Sequence, residues 1–476
     1  MSVIEVRNPR NGKFDYSFEP VSTDEVAGIC QKIRHAQQHW WSAGFEYRQR
    51  ALMRWKDEVD KRMDQIVDAL IQDTGRQTIS REEVGVIGHL IEGQCHVAPM
   101  VLKTPEGQSS SNPEITFENQ YVPYSVVGII SPWNFPLVLS FLDIVPALVA
   151  GCGGIIKPSE ITPRFVEPLQ ASINAVPELA AVLRLVQGAE ETGQAILDNV
   201  DAVVFTGSIA TGSKVAQTAA KNFIPAFLEL GGKDPAVILE GSDLERAATA
   251  TIRSSIYNAG QVCYAIERVY VDERVHDEFV AIVMDQIKDL DINYPDINQG
   301  QVGPLIFEKQ ALTIKEQLED AVAKGAEILS GGEIEQHDGG VWIRPTVVVN
   351  VTHDMKLMTD ETFGPILPIM KFKTEDEAVE LANDTRYGLS GAVFSNSIEK
   401  STEIARRINA GGISVNDTEL PRAIMMDAEK MAFNKSGIGG SRYGVANMLR
   451  YTRKKAIIKN PGATNSLEVL NESTGN

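Results

Sequence analysis

Parallel α/β sheets covered by helices on both faces, spread over two or three domains, are what this sequence predicts. Three observations predict them. The chain has 476 residues, more than a single hydrophobic core organises. Short apolar runs recur, from Val126-Val127-Gly128-Ile129-Ile130 through Gly154-Ile155-Ile156, Ala202-Val203-Val204-Phe205 and Ala236-Val237-Ile238-Leu239 to Val269-Tyr270-Val271, Val347-Val348-Val349, Ile366-Leu367-Pro368-Ile369 and Ile413-Ser414-Val415. Helical patterns separate most of these runs, and strands alternating with helices imply parallel pairing.

Taken in order, Ser22 and Glu25 form a capping-box pattern, and a helix is predicted to about residue 41. A second helix is predicted from residue 46 past 71, with Leu52, Trp55, Val59 and Ile66 on one face. Residues 105–113 read as a loop and 115–121 as an exposed strand. The long apolar stretch 137–156 contains Asp143 and Pro146. A central Asp costs roughly 2.5–3.5 kcal/mol on membrane insertion, so a buried helix entering a strand at Ile155-Ile156 is expected. Gly231-Gly232 reads as a hinge that closes the first domain. Ser242 to Glu245 is predicted to cap a helix with Leu244, Ala248, Ile252 and Ile256 inward, closed by Gly260. Cys263 then falls on a loop just past a helix. The tail after Pro461 is polar and predicted to be poorly ordered or draped over a neighbour.

Formal net charge is −19, which disfavours nucleic acid and anionic membranes as partners. Cys30, Cys95, Cys152 and Cys263 are four cysteines without CxxC spacing. They suit a reducing, cytoplasmic compartment. The first residues have no apolar run and carry Glu5, against a targeting peptide. His35 and His39 are four apart on a predicted helix but lack a third ligand, so no metal is expected. Arg453-Lys454-Lys455 reads as the rim of a terminal strand.

Three segments carry chemistry. Cys263 follows Asn258-Ala259-Gly260-Gln261-Val262, with Arg268 at the head of an apolar strand. Glu229 lies in Phe227-Leu228-Glu229-Leu230-Gly231-Gly232-Lys233-Asp234-Pro235, and Asn134 in Pro132-Trp133-Asn134-Phe135-Pro136. They supply a nucleophilic thiol, a carboxylate able to activate water, and an amide donor for an oxyanion. The other three cysteines read as inert packing. Phe205-Thr206-Gly207-Ser208 follows the strand run Ala202 to Phe205, and Thr211-Gly212-Ser213-Lys214 opens a helix; such a glycine turn offers free N–H groups to a phosphate, though a tight turn of this kind without a ligand is just as common. The spacing Gly207 to Gly212 imitates a P-loop, but Ser213-Lys214 reverses the required order. The G-x-G-x-x-G fingerprint is absent as well.

Together these motifs resemble the aldehyde dehydrogenase superfamily over nearly the whole chain, from about residue 8 to 459. The resemblance implies a Rossmann-type cofactor domain (1–103 and 124–230), an α/β catalytic domain (231–449) and a small oligomerisation β-extension (104–123 and 450–476). It implies that Cys263 adds to an aldehyde, that Asn134 and the Cys263 N–H hold the oxyanion, and that hydride leaves to a nicotinamide. Glu229 then activates the water that hydrolyses the thioester. By the same resemblance the cofactor lies along Ile130 and Trp133, with its pyrophosphate at Gly207 and Ser208. Lys157 and Glu160 hold the adenosine ribose; Glu361 and Phe363, in Glu361-Thr362-Phe363-Gly364-Pro365, hold the nicotinamide end. A carboxylate at Glu160 accepts from a 2′-OH and repels a 2′-phosphate, so NAD is expected, with NADP as the alternative. A homodimer or homotetramer is implied.

The sequence also departs from the family. Asp143 stands where a lysine often follows, and the segment 432–444 lacks a double glycine after Phe433 and a glutamate near Ser441. In some members of the family such a lysine and glutamate relay the proton from the general base, so the resemblance implies another proton route here, and the anchor loop 418–431 is expected to differ in shape. Val138, Leu142, Val262, Tyr264 and Phe433 are the expected pocket residues. An apolar or aromatic aldehyde is the expected substrate, with Arg422 as the main threat to that idea. The alternatives are a CoA-acylating enzyme (against which Glu229 argues), a semialdehyde dehydrogenase, and a catalytically silent relative.

Overall fold

The computed structural model describes residues 2–464, 466–470 and 472. Two large sheets dominate. The first has the strand order Gly437–Ile438, Ala226–Glu229, Ala202–Thr206, Val126–Ile130, Gly153–Lys157, Leu183–Leu185. All its pairings are parallel except that of Gly437–Ile438. The second runs Glu327–Ser330, Thr346–Val349, Ile366–Phe372, Ile266–Asp272, Asp234–Ile238, Ser390–Phe394, Gly412–Val415, parallel except at its first strand. Near-continuous Val, Ile and Ala in the central strands fit burial on both faces. Thr452–Lys459, Thr116–Pro123 and Glu106–Gln108 form a separate antiparallel sheet.

The two sheets meet the cleft with opposite ends. Ile130, Lys157, Thr206 and Glu229 are the last residues of four parallel strands of the first sheet, the edge where open α/β sheets take ligands. The second sheet contributes the entries to its strands: Gly231 to Asp234, the Cys263 loop before Ile266–Asp272, and Glu361 to Phe363 before Ile366–Phe372.

The apolar stretch 137–156 becomes the helix Val138–Ala150 and the strand Gly153–Lys157. Among the described residues no helix is long and apolar enough to cross a membrane. The capping box at Ser22 forms, on the helix Thr23–Ser42.

Four local expectations need correction. The helix expected from 46 past 71 is two helices, Phe45–Asp60 and Met63–Thr74; the apolar face turns across Lys61 and Arg62, so periodicity alone hid the break. The loop 105–113 contains the strand Glu106–Gln108, which gains its ladder from a distant partner. The cap of Leu244–Ile256 is Asp243, whose side chain accepts from Arg246 N, while the Ser242 hydroxyl turns back to Leu239 O and Phe394 O. That helix ends at Ile256, and a 3-10 turn, Tyr257–Gly260, carries the chain on. Part of the tail expected to be poorly ordered, 465, 471 and 473–476, lies outside the described residues.

Candidate active site

The thiol loop is built from backbone conformations that few residues tolerate. Asn258 and Ala259 both have φ of 53°, and Gly260 follows at 72°. A Cβ at Gly260 would meet Gly364 O at 2.1 Å, so only glycine fits. Buried amides hold the loop. Asn258 Nδ2 donates to Asn134 O and to Gln261 O, each at 3.1 Å. Gln261 Nε2 donates to Asn258 O at 2.8 Å, and its Oε1 accepts from Ile306 N at 2.8 Å. Asn134, 4% exposed, donates through Nδ2 to Gln261 O at 2.9 Å. An amide nitrogen carries two hydrogens, so one remains to face the cleft. The N–H of Cys263 itself has no protein acceptor among the described residues.

Cys263 is partly exposed, unlike the buried Cys30, Cys95 and Cys152. Its burial from water pushes the thiol up to about 12, while Lys430 and Arg442 pull in the opposite direction. Burial lifts Cys30 and Cys95 to about 11 and Cys152 higher still, which suits packing groups. Gly232, between the strands Ala226–Glu229 and Asp234–Ile238, lies against the loop: a Cβ there would meet Cys263 O at 2.2 Å.

The turn carrying Asn134 is held from below. Glu83, buried and paired with Arg76 at 2.6 Å, accepts from Leu137 N at 3.2 Å and Val138 N at 3.1 Å, so a distant carboxylate caps the helix. Phe135, Val262 and Ala265 form a small buried cluster, with Val138, Tyr257 and Tyr264 packed against it. Leu142 belongs to the main core of the first sheet. Phe433 is not among the residues packed on that cluster; it is 40% exposed, and its backbone N–H bonds Gly388 O.

A cavity of 490 Å³ runs past Ile209 and Ala210, the first helical residues after Ser208, to Glu361, with Lys356, Arg386 and Lys435 on its walls. Free helix amides and three cations suit a diphosphate. Ser208 caps the helix, accepting from Thr211 N at 3.3 Å. Lys157 Nζ bonds Pro158 O at 3.1 Å, Glu160 at 3.3 Å and Gly188 O at 2.7 Å. An ammonium has three hydrogens, so all are committed. Trp133 and Phe363 meet edge to face, with ring centroids 5.4 Å apart. The Glu361 carboxylate accepts from Gly232 N at 3.1 Å, and burial near Glu267 raises it to about 8. These groups fit a dinucleotide laid across the strand ends.

Sequence reasoning missed Glu267 and Lys430, and the partners of Arg268, Ser441 and Asp143. Buried Glu267 accepts from Lys233 Nζ at 2.7 Å, Thr362 N at 2.7 Å and Phe363 N at 2.8 Å, tying the two motif loops together. The Arg268 guanidinium donates to Lys233 O, Leu381 O and Ala382 O, a purely internal clamp. Lys430 bonds Ser390 Oγ at 2.8 Å and stands over the Tyr443 ring. The Ser441 hydroxyl accepts from Lys430 N and Tyr443 N, locking that segment where a glutamate was expected. Asp143 is fully buried among Arg442, Arg450 and the Tyr451 hydroxyl. Arg442 and Tyr443 stand within the quoted 432–444 segment, but no local pattern marks their long-range partners.

The family model described as "Aldehyde dehydrogenase family" matches residues 1–457. The chain belongs to the aldehyde dehydrogenase family. A Mycobacterium ulcerans (strain Agy99) protein provisionally named succinate-semialdehyde dehydrogenase [NADP(+)] 2 is 34% identical over 442 residues, spanning 92% of this chain and 85% of the relative. A solved structure from Anabaena variabilis, provisionally named aldehyde dehydrogenase PutA, is 48% identical with a TM-score of 0.95, over 98% of this chain and 99% of that one. A point mutant of betaine aldehyde dehydrogenase from Staphylococcus aureus, solved in complex with NAD+, is 28% identical with a TM-score of 0.91, over 98% and 96%. Membership makes this aldehyde dehydrogenase an oxidoreductase.

Proposed function

We propose that this aldehyde dehydrogenase oxidises an aldehyde to a carboxylic acid through a thiohemiacetal and a thioester on Cys263. One observation carries the reading: the partly exposed thiol sits on a loop with two uncommitted N–H donors, those of Cys263 and Asn134, and Glu229, the last residue of its strand, is the carboxylate the motif assigns to water. The thiol gives its proton to solvent, the Sγ–C bond forms, and the carbonyl π pair moves to oxygen as an alkoxide between those donors, which lowers the barrier without reorganisation. A nicotinamide, when bound, supplies the hydride acceptor. Glu229 then takes a proton from water, the new O–C bond forms, and the S–C bond breaks with its electron pair returning to sulfur.

NAD is the favoured cofactor. Glu160 remains available to a ribose hydroxyl, and Lys157 has no N–H left for a 2′-phosphate. NADP(+) in the names of relatives such as that of M. ulcerans makes a parallel assay the deciding measurement. The aromatic and aliphatic wall of Phe135, Val138, Val262, Tyr257 and Tyr264 favours an apolar or aromatic aldehyde. A carboxylated semialdehyde is the second reading, because Arg422 and Lys430 line the cavity that Tyr264 and Tyr443 share. Arg422 already stacks on Tyr257, 4.7 Å from its ring centroid, and has Glu419 nearby, which supports the first reading. The sheet formed by 106–108, 116–123 and 452–459 is proposed as the association surface of a homo-oligomer.

NADH and NADPH formation with benzaldehyde, hexanal and succinate semialdehyde tests the reading, with and without CoA. CoA-independent acid formation that vanishes in Cys263→Ala is expected. Turnover by that variant, or an obligatory acyl-CoA product, would overturn it; a large kcat/KM advantage for succinate semialdehyde would select the second substrate class.

A further inference from the structure

Beside the thiol the aromatic wall leads into a small polar recess that the reaction, as described so far, does not use. Tyr264, the residue after Cys263, packs on the cluster of Phe135, Val262 and Ala265 and also lines this recess, together with Glu419, Arg422, Lys430 and Tyr443. The recess measures about 10 Å³, room for one water-sized group. Its polar groups are held in place but not satisfied. Lys430, 9% exposed, donates to Ser390 Oγ at 2.8 Å and stands over the Tyr443 ring. An ammonium has three hydrogens, and Lys430 Nζ has no second acceptor among the described residues. Glu419 Oε1 is buried without a partner. The Glu419 backbone is fixed from both sides. Thr418 Oγ1 donates to Ala250 O and accepts from Arg253 Nη2, each at 3.0 Å, and Leu420 N donates to Ser414 Oγ at 3.1 Å. Glu419 itself has a φ of 60°, a left-handed conformation that costs any residue but glycine and that gathers at ligand-binding positions.

A spare donor and a spare acceptor therefore border one space. A carboxylate there meets Glu419 with like charge and has no hydrogen to donate. An ammonium meets Lys430 and Arg422 with like charge and accepts nothing. A hydroxyl satisfies both sides. We propose that Glu419 and Lys430 are specificity residues for an aromatic aldehyde that carries a ring hydroxyl. This rests on the reading of the cleft as the place where Cys263 oxidises an aldehyde against an aromatic wall, and it narrows the class of substrate. The hydroxyl accepts from Lys430 Nζ and donates to the Glu419 carboxylate, while Arg422, stacked on Tyr257, closes the rim. An unsubstituted ring leaves both groups unpaired, which is how a polar site rejects an analogue lacking the hydroxyl.

The test compares kcat/KM for benzaldehyde, m- and p-hydroxybenzaldehyde and p-carboxybenzaldehyde, followed by NADH fluorescence. A p-hydroxyl pushes electrons into the carbonyl and slows addition of a thiol, so a gain with that isomer has to come from binding. One hydroxy isomer is expected to exceed benzaldehyde roughly 10–100-fold, the worth of a hydrogen bond to a charged group. Each variant is read as the ratio of hydroxylated to plain ring within that variant, which cancels any change at the sulfur. The ratio should fall to one or below in Glu419→Ala and in Lys430→Met. Glu419→Gln removes the repelling charge and should raise p-carboxybenzaldehyde about tenfold relative to benzaldehyde, a gain that mere loss of structure does not produce. If Lys430→Met is not recovered folded, the two Glu419 variants carry the test. Equal kcat/KM for benzaldehyde and both hydroxy isomers in the unaltered enzyme would overturn the proposal, the recess then holding solvent only. So would a hydroxyl preference that survives Glu419→Ala, or no gain for p-carboxybenzaldehyde in Glu419→Gln. Absence of Cys263-dependent turnover of benzaldehyde, or a large advantage for succinate semialdehyde over every ring compound, would instead overturn the reading of the site.

Discussion

Around Cys263 the cleft is fixed by neutral amides, whereas behind Glu229 it is fixed by buried charge. Asn134, Asn258 and Gln261 satisfy one another and the backbone without placing a formal charge beside the sulfur. Asp143, Arg442 and Arg450 carry three formal charges in a region closed to water. The difference follows from what each end must do. A thiol that adds to a carbonyl needs fixed geometry and donors that strengthen only as charge develops. On the proposed reading, a carboxylate that must direct water at a thioester needs a rigid support behind its strand end. Amide lattices supply the first, and ion clusters supply the second at a desolvation cost.

The largest expected effect comes from breaking the charged end. Asp143→Ala leaves Arg442 and Arg450 buried against each other without a carboxylate between them. Removing one partner of a buried ion pair costs about 3–5 kcal/mol, so the urea midpoint should fall by an equivalent amount. A replacement that also discharges Arg442, such as Asp143→Leu with Arg442→Met, should recover part of the loss. An Asp143→Ala protein as stable as the unaltered one would mean that water or a shifted arginine compensates, and the contrast between the two ends would lose its energetic basis.

Breaking the neutral end should spare stability more and catalysis less. Asn134→Ala removes a donor to Gln261 O and, on the proposed reading, one of the two oxyanion donors. Loss of such a donor costs about 2.7–4 kcal/mol of barrier, or 10²–10³ in kcat. Stopped-flow measurement of the NADH burst should show slowed acylation with little change in KM. A slowed steady phase with an intact burst would place Asn134 in hydrolysis instead.

The two ends also differ in how far the sequence exposes them. Cys263, Glu229 and Asn134 each sit in a short segment whose residue types already imply chemistry, and the strand runs around them place their loops at sheet edges. The left-handed turn at Asn258-Ala259-Gly260 could be anticipated only at its glycine. Asp143 was legible as a departure, but its partners are about 300 positions away in the chain, and no local pattern encodes such a pairing. The same limit hid Glu83, which caps the helix at Val138 from another helix. It also hid Glu267, which joins the Lys233 and Thr362 segments. Phe433 was placed at the pocket by its motif alone, and its segment bonds the Gly388 loop through its backbone.

Lys430 connects the two ends, and its effect should be the smallest of the three. Its ammonium is buried between Ser390 and Tyr443, and its charge lowers a Cys263 thiol that burial raises to about 12. The thiolate is the reactive form, so below that value the iodoacetamide rate should rise tenfold per pH unit. Lys430→Met removes a favourable charge and moves the thiol further up; at any fixed neutral pH the labelling rate should fall roughly threefold, the change for half a unit. The sign is what discriminates. Faster labelling in Lys430→Met would mean that the lysine acts chiefly by shielding the sulfur. An unchanged rate would mean that the charge is spent on Asp234, which burial lifts to about 8 despite the same lysine. In the expected case the alkaline slope stays parallel to that of the unaltered enzyme and only its position shifts, because access to the sulfur is set by the amide-held loop and the charge sets only how much of it is ionised.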